Sequence, residues 1–220
     1  MSENSIRLII VEDENLLRDL LTNTLARVSN ISIVGTYENG KKALDDVERA
    51  KPDVALLDID LGPGWTGVET GLHLRQCNPS MGIVLLSNYA SPDLLQTIPA
   101  TEVGGWSYLL KKSSHNLHSF TRAIEGARAR LVVLDPELLL KAYQEKQHPF
   151  NQLTTRQLEI LTLVSQGYTN AAIAKSLFLS EKSIENQLTA IYAALNISSG
   201  NSQEHARVKA VLAFLGQSSV

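Results

Sequence analysis

The sequence predicts an α/β domain built on a parallel sheet, followed by a smaller all-α domain. Three observations carry this. Short apolar, β-branched runs alternate with helical patterns through the first 130 residues. Residues 131–150 break that rhythm with Pro136, Pro149 and the polar stretch Gln144–His148. From Leu153 onward only helical spacing remains. Strands buried on both faces read as compact apolar runs, and helices joining parallel strands cover the sheet.

The elements follow in order. Ile6–Val11 reads as a buried strand, and Glu14 to Val28 as a helix carrying Leu17, Leu20, Leu21, Leu25 and Val28 on one face. Ile31–Thr36 is the second strand and Gly40–Ala50 the second helix. Val54–Leu57 is the third strand, entered after Pro52; Thr66–Gln76 is a helix stopped by Asn78-Pro79. Ile83–Leu86 is the fourth strand. Ser91-Pro92-Asp93 opens a helix, with Ser91 as N-cap and Pro92 at the first position. Trp106–Leu110 is the fifth strand and Ser114–Arg130 the fifth helix. The linker, 131–150, is expected to be helical around Glu137–Tyr143. The second domain, 151–220, is expected to hold four helices: Thr155–Gln166, Asn170–Leu177, Glu181–Leu195 and Gln203–Leu215.

Composition narrows the class. Hydrophobic residues make up 44% and charged residues 20%, the balance of a globular chain and not of a disordered one. The net charge of −3 gives no whole-chain sign of a strongly nucleic-acid-binding protein. One cysteine, Cys77, excludes an internal disulfide and a cysteine-based zinc site. No apolar run reaches the roughly 18 residues of a membrane span, and Ile6–Val11 is too short for a signal peptide. The expectation is a cytoplasmic protein.

Open parallel sheets bind ligands beyond the carboxyl ends of their strands. Strand one ends in Glu12-Asp13, strand three in Asp58, strand four in Ser87 and strand five in Lys111. Converging carboxylates repel unless a cation intervenes, and Mg²⁺ suits a few carboxylates plus phosphate and water. A carboxylate beside such an ion can attack a phosphoryl group, with lysine and metal offsetting charge and Ser87 donating to a phosphoryl oxygen. Singly, each residue has a bland explanation: Asp58 as a turn former, Glu12-Asp13 as a helix's first turn, Lys111-Lys112 as a solvated loop. Their joint placement at one end of the sheet favours chemistry.

On these residues the first 130 positions resemble a response-regulator receiver domain of flavodoxin-like fold. The matching motifs are Glu12-Asp13, Leu56-Leu57-Asp58-Ile59-Asp60, Leu85-Leu86-Ser87 and Tyr108-Leu109-Leu110-Lys111. The resemblance implies that Asp58 accepts phosphate from a sensor histidine kinase. It implies that Asp13, Asp58 and the backbone carbonyl of Asp60 bind Mg²⁺, with Glu12 helping through water. Ser87 and Lys111 would sense the phosphoryl group, and Tyr108 matches an aromatic that turns inward on activation. Two features depart from the family pattern: the loop Asp60–Gly67 is one residue longer, and Lys112 stands where a proline usually follows the lysine. Asp58-Ile59-Asp60 also resembles haloacid-dehalogenase-like phosphatases. In those enzymes the nucleophilic strand comes first and an acidic pair lies far downstream, the reverse of the order here.

In the second half, Leu153–Leu161, Gly167–Ala174 and Leu179–Leu188 resemble the LuxR/NarL-type helix-turn-helix domain. The resemblance implies double-stranded DNA as partner, Leu179–Leu188 as recognition helix and a homodimer on phosphorylation. Candidate DNA contacts are Lys182, Ser183, Glu185, Asn186, Gln187 and Thr189. Charge tempers this. Residues 150–220 hold five cations (Arg156, Lys175, Lys182, Arg207, Lys209) against four acids (Glu159, Glu181, Glu185, Glu204). Phosphate attraction comes from Lys and Arg, so a shallow salt dependence is expected. Glu185 stands where the family usually has lysine, although a carboxylate can accept from a cytosine amino group. The alternative is a phosphorylation-controlled module whose helical domain engages a protein.

Overall fold

In the computed structural model the described residues are 5–91, 97–99, 102–112, 117–138, 141, 153–197 and 203–214. Contacts divide the chain into two compact units: Met1–Tyr89 with Gly105–Arg130, and Ala90–Gly104 with Leu131–Val220.

The sheet contains β1 (Ile6–Val11), β2 (Ile31–Tyr37), β3 (Val54–Asp58), β4 (Gly82–Ser87), β5 (Trp106–Leu110) and a short β6 (Val133–Leu134), in the order β2-β1-β3-β4-β5-β6. The pairs β1–β2, β1–β3, β3–β4 and β4–β5 are parallel. The first five strands follow the doubly wound order 2-1-3-4-5. β3, β4 and β5 are buried throughout their lengths. Their Val, Ile and Leu side chains contribute about 1.5–3 kcal/mol each by leaving water. β6 adds a sixth strand within the stretch expected to be linker. Two residues are too short to show a period, so the pattern of residues 131–150 gave no sign of it.

Among the described residues four helices accompany these strands: α1 (Asn15–Leu25), α2 (Gly40–Ala50), α3 (Gly67–Cys77) and α4 (Leu117–Arg128). Asn39 caps α2 by accepting from the Lys42 amide. Thr66 and Glu69 form a reciprocal capping box that starts α3, fixing where the long loop after Asp58 ends. α1 stops at Leu25, three residues before the apolar pattern does. The helix expected after Ser91 falls largely on residues 92–96, outside the described residues. Pro136–Leu138 are helical, and most of the remaining linker helix lies outside them as well.

The all-α part comprises α5 (Thr155–Ser165), α6 (Asn170–Leu177), α7 (Glu181–Ala194) and α8 (Gln203–Phe214). Side-chain oxygens of Thr154, Thr169 and Ser180 cap α5, α6 and α7. Between α6 and α7 the chain turns at Phe178, whose φ of 54° is left-handed. Ile160, Leu161, Val164, Ile173, Ile184, Leu188 and Ile191 form the core of this bundle.

Candidate functional site

The strand register brings the acidic residues together. Val11 lies opposite Leu57, and Asp58 opposite Leu86. Glu12 therefore emerges beside Asp58, and carboxylate oxygens of Glu12, Asp13 and Asp58 lie within 4.8 Å of one another. Glu12 and Asp58 are buried, whereas Asp13 and Asp60 are exposed at the mouth. Lys111, directly after β5, reaches across the strand ends. Its Nζ lies 2.8 Å from Asp58 Oδ2 and 3.1 Å from Glu12 Oε2.

Backbone details hold these groups in place. Arg18 Nη1 donates to the Glu12 carbonyl at 2.6 Å, tying α1 to the end of β1. Gly67 packs so closely that a Cβ there would meet the Asp58 carbonyl at 2.2 Å. Gly62 has φ +68°, and a Cβ there would lie 3.2 Å from Asp13 Oδ2. Sequence reasoning placed both glycines in the loop without assigning them a role, and it missed Arg18.

The electrostatics are those of crowded, dehydrated carboxylates. Burial, and then the charge of Asp58, push Glu12 from the usual carboxylate value up to about 7, against the pull of Lys111. Asp58 is also raised, chiefly by burial, with Lys111 opposing. Burial works against the Lys111 charge, but hydrogen bonds to Asp58 and Glu12 outweigh it and raise its pKa. Asp58 Oδ1 is buried and takes no hydrogen bond. Lys111 thus pairs with two of the three clustered carboxylates, and a buried Asp58 oxygen remains unsatisfied. That donor set suits a hard divalent cation.

Ser87 and Tyr108 both bond to Tyr89. Ser87 Oγ donates to the Tyr89 carbonyl at 2.9 Å, and so does the Tyr108 hydroxyl, also at 2.9 Å. The Tyr108 ring is completely buried. Tyr89, whose carbonyl joins the two, was not among the residues read from the sequence; a backbone acceptor leaves no signal there.

On α7 the candidates separate. Lys182, Asn186 and Thr189 are exposed, and Ser183, Glu185 and Gln187 are half-buried. Ser183 belongs to the helix cap: its amide donates to Ser180 Oγ, and the two hydroxyls lie 2.9 Å apart. Thr189 Oγ1 donates to the Glu185 carbonyl. Lys182 Nζ pairs with Glu185 Oε2 at 3.0 Å.

Comparison with known proteins agrees with this architecture. Residues 8–122 match the response regulator receiver domain model. Residues 151–204 match the model of bacterial regulatory proteins of the luxR family. The transcriptional regulatory protein DesR of Bacillus subtilis (strain 168) is 31% identical over 193 residues, spanning 87% of this chain and 91% of that protein. DegU of Brevibacillus brevis is 27% identical, over 90% of this chain and 91% of its own. Among solved structures, the response regulator ChrA of a heme-sensing two-component system aligns at TM-score 0.51 and 25% identity, covering 97% of this chain and 98% of that one. An RcsB–DNA complex aligns at TM-score 0.54, covering 98% of this chain and all of that one; at 19% identity it supports the fold. The chain belongs to the response-regulator family, carrying a receiver domain followed by a LuxR-family regulatory domain.

Proposed function

We propose that a sensor histidine kinase phosphorylates Asp58, and that this modification controls how the helical domain binds double-stranded DNA and regulates transcription in the cytoplasm. The domains act as receiver (1–130), linker (131–150) and DNA-binding domain (151–220). The observation that carries the reading is the Asp58 carboxylate, buried at the end of β3, 2.8 Å from Lys111 and beside Glu12 and Asp13.

In this reading an Asp58 oxygen attacks phosphorus. The bond to the donor's leaving group breaks, and an aspartyl phosphate remains. Lys111 holds its positive charge against the new phosphoryl oxygens. Asp13, Asp58 and the Asp60 carbonyl would hold Mg²⁺, with Glu12 assisting through water; the bound ion neutralises charge gathering on the phosphoryl group. Ser87 leaves the Tyr89 carbonyl to donate to a phosphoryl oxygen. That frees an acceptor shared with Tyr108 and alters the surface around the β4 end. Phosphorylated chains then pair, so that two recognition helices meet two half-sites. Lys182, Glu185, Asn186, Gln187 and Thr189 would contact the groove, with Ser183 holding the helix start.

The chain acts as a switch, not as a turnover enzyme. Steady multiple-turnover hydrolysis of phosphomonoesters would revive the phosphatase reading. The test is affinity for duplexes selected from a random pool, with and without acetyl phosphate. Tighter binding after acetyl phosphate, absent in Asp58→Asn, is expected; no sequence enriched under either condition would contradict DNA binding.

One observation favours a protein partner as the second reading. Arg156 pairs with Glu159, Lys182 pairs with Glu185, and Arg207 is engaged by Asn170 and the Tyr168 carbonyl. Three of the domain's five cations are thus held internally. Failure of DNA selection together with phosphorylation-dependent binding of a protein would favour that reading.

A further inference from the structure

The outward side of α7 is set by its inward one. Ile184, Leu188, Ile191 and Tyr192 are buried; Lys182, Asn186 and Thr189 form an exposed stripe at helical spacing, with Glu185 half-buried along its edge. Lys182 is the cation of that stripe and Glu185 its acid. Their side chains are 77% and 44% exposed and meet at 3.0 Å. Of the two hydroxyl neighbours, Thr189 donates to the Glu185 carbonyl, and the Ser183 hydroxyl lies 2.9 Å from that of Ser180 in the helix cap.

This pairing is a poor device for gripping phosphate. Lys182 is half-neutralised by its own helix, and Glu185 repels an anionic backbone. It is well suited to reading bases. An ionised carboxylate only accepts hydrogen bonds and an ammonium only donates them. In the major groove cytosine offers an amino donor, whereas its partner guanine offers O6 and N7 acceptors next to it. Thymine presents a methyl group and a single acceptor, a weaker match for the ammonium.

Resting on the DNA-binding reading above, we propose that Glu185 and Lys182 form one base-reading unit that selects a cytosine–guanine pair, Glu185 accepting from cytosine and Lys182 donating to guanine. The ion pair between them holds donor and acceptor side by side before DNA arrives. The residue that weakens non-specific attraction is thereby the one that supplies specificity.

The test is selection from randomised duplexes with the full-length protein, acetyl phosphate and Mg²⁺, comparing the unaltered chain, Glu185→Gln and Lys182→Met. Both positions lie off the buried face of α7, and circular dichroism checks that each variant is folded. The unaltered chain should enrich a motif with one cytosine–guanine position whose replacement weakens binding about tenfold or more. Glu185→Gln should move that position toward adenine, whose N6 and N7 suit a glutamine amide, and leave the others unchanged. Lys182→Met should flatten the preference there without moving it. An unchanged motif in Glu185→Gln overturns the inference while DNA binding stands. No motif for the unaltered chain overturns both.

Discussion

Ser87 and Tyr108 donate hydrogen bonds to the same atom, the carbonyl oxygen of Tyr89, each at 2.9 Å. One side chain ends β4 and the other sits within β5, so one acceptor couples the strand end beside Asp58 to a buried aromatic. Any new acceptor for Ser87 withdraws one of the two donors. Ser87→Ala should therefore still be phosphorylated at Asp58 but should lose the near-ultraviolet circular dichroism change that acetyl phosphate produces around Tyr108. A full-size change in Ser87→Ala would show that the hydroxyl does not couple the two.

Lys111 is the counter-charge for two buried carboxylates, Glu12 and Asp58. Replacing one partner of a buried ion pair costs about 3–5 kcal/mol, because an uncompensated charge stays behind. Lys111→Met should destabilise the receiver by that order at pH 8, measured by urea unfolding without divalent cation. The loss should shrink at pH 5, where Glu12, raised to about 7, protonates instead. An equal loss at both values would contradict the electrostatic account.

Glu12 gives a pH dependence of its own. Its pKa is raised from 4.5 to about 7, so the fold favours the neutral acid. The penalty is absent below the unfolded value of 4.5, grows as pH rises, and is complete above about 7. Asp58 is shifted in the same direction. Without divalent cation, stability should rise as pH falls from 8 to 5, by up to about 3 kcal/mol from Glu12. Glu12→Gln should flatten that part of the profile, and Mg²⁺ should stabilise most at the alkaline end. Thermal melts of both proteins across the range decide this; a Glu12→Gln profile as steep as the original would remove Glu12 as the cause.

Five strands and their charged ends were legible because parallel strands buried on both faces leave compact apolar runs, and each run stops where a polar residue enters solvent. The end of α3 was legible through Asn78-Pro79, which stops the helix. β6 was not, since Val133–Leu134 joins the sheet without any period of its own. In the site, Glu12, Asp13, Asp58 and Lys111 could be located because side chains carry their chemistry. The Tyr89 carbonyl, the Arg18 contact to the Glu12 carbonyl and the tight fit of Gly67 against Asp58 depend on backbone placement. Residue type does not announce that placement. The Lys182–Glu185 pair lies between: the spacing of three was visible, whereas the contact depends on the rotamers both side chains adopt.

The same pair bears on salt. With Arg156, Lys182 and Arg207 engaged internally, few phosphate contacts remain, so affinity for DNA should fall slowly with salt. Glu185→Lys removes an acid and adds a cation, and should steepen the slope of log affinity against log salt by about one or more. Fluorescence anisotropy on a non-specific duplex between low and physiological salt measures both. A steep slope for the unaltered chain would show that its basic residues reach phosphate despite these contacts.

The central claim is that Asp58 carries the phosphoryl group. The direct measurement is intact-mass spectrometry after acetyl phosphate and Mg²⁺, followed by hydroxylamine, which cleaves acyl phosphates. The unaltered chain should gain one phosphoryl group, lose it to hydroxylamine, and gain none when Asp58 is asparagine. Undiminished labelling of Asp58→Asn would place the phosphoryl group elsewhere and contradict the account.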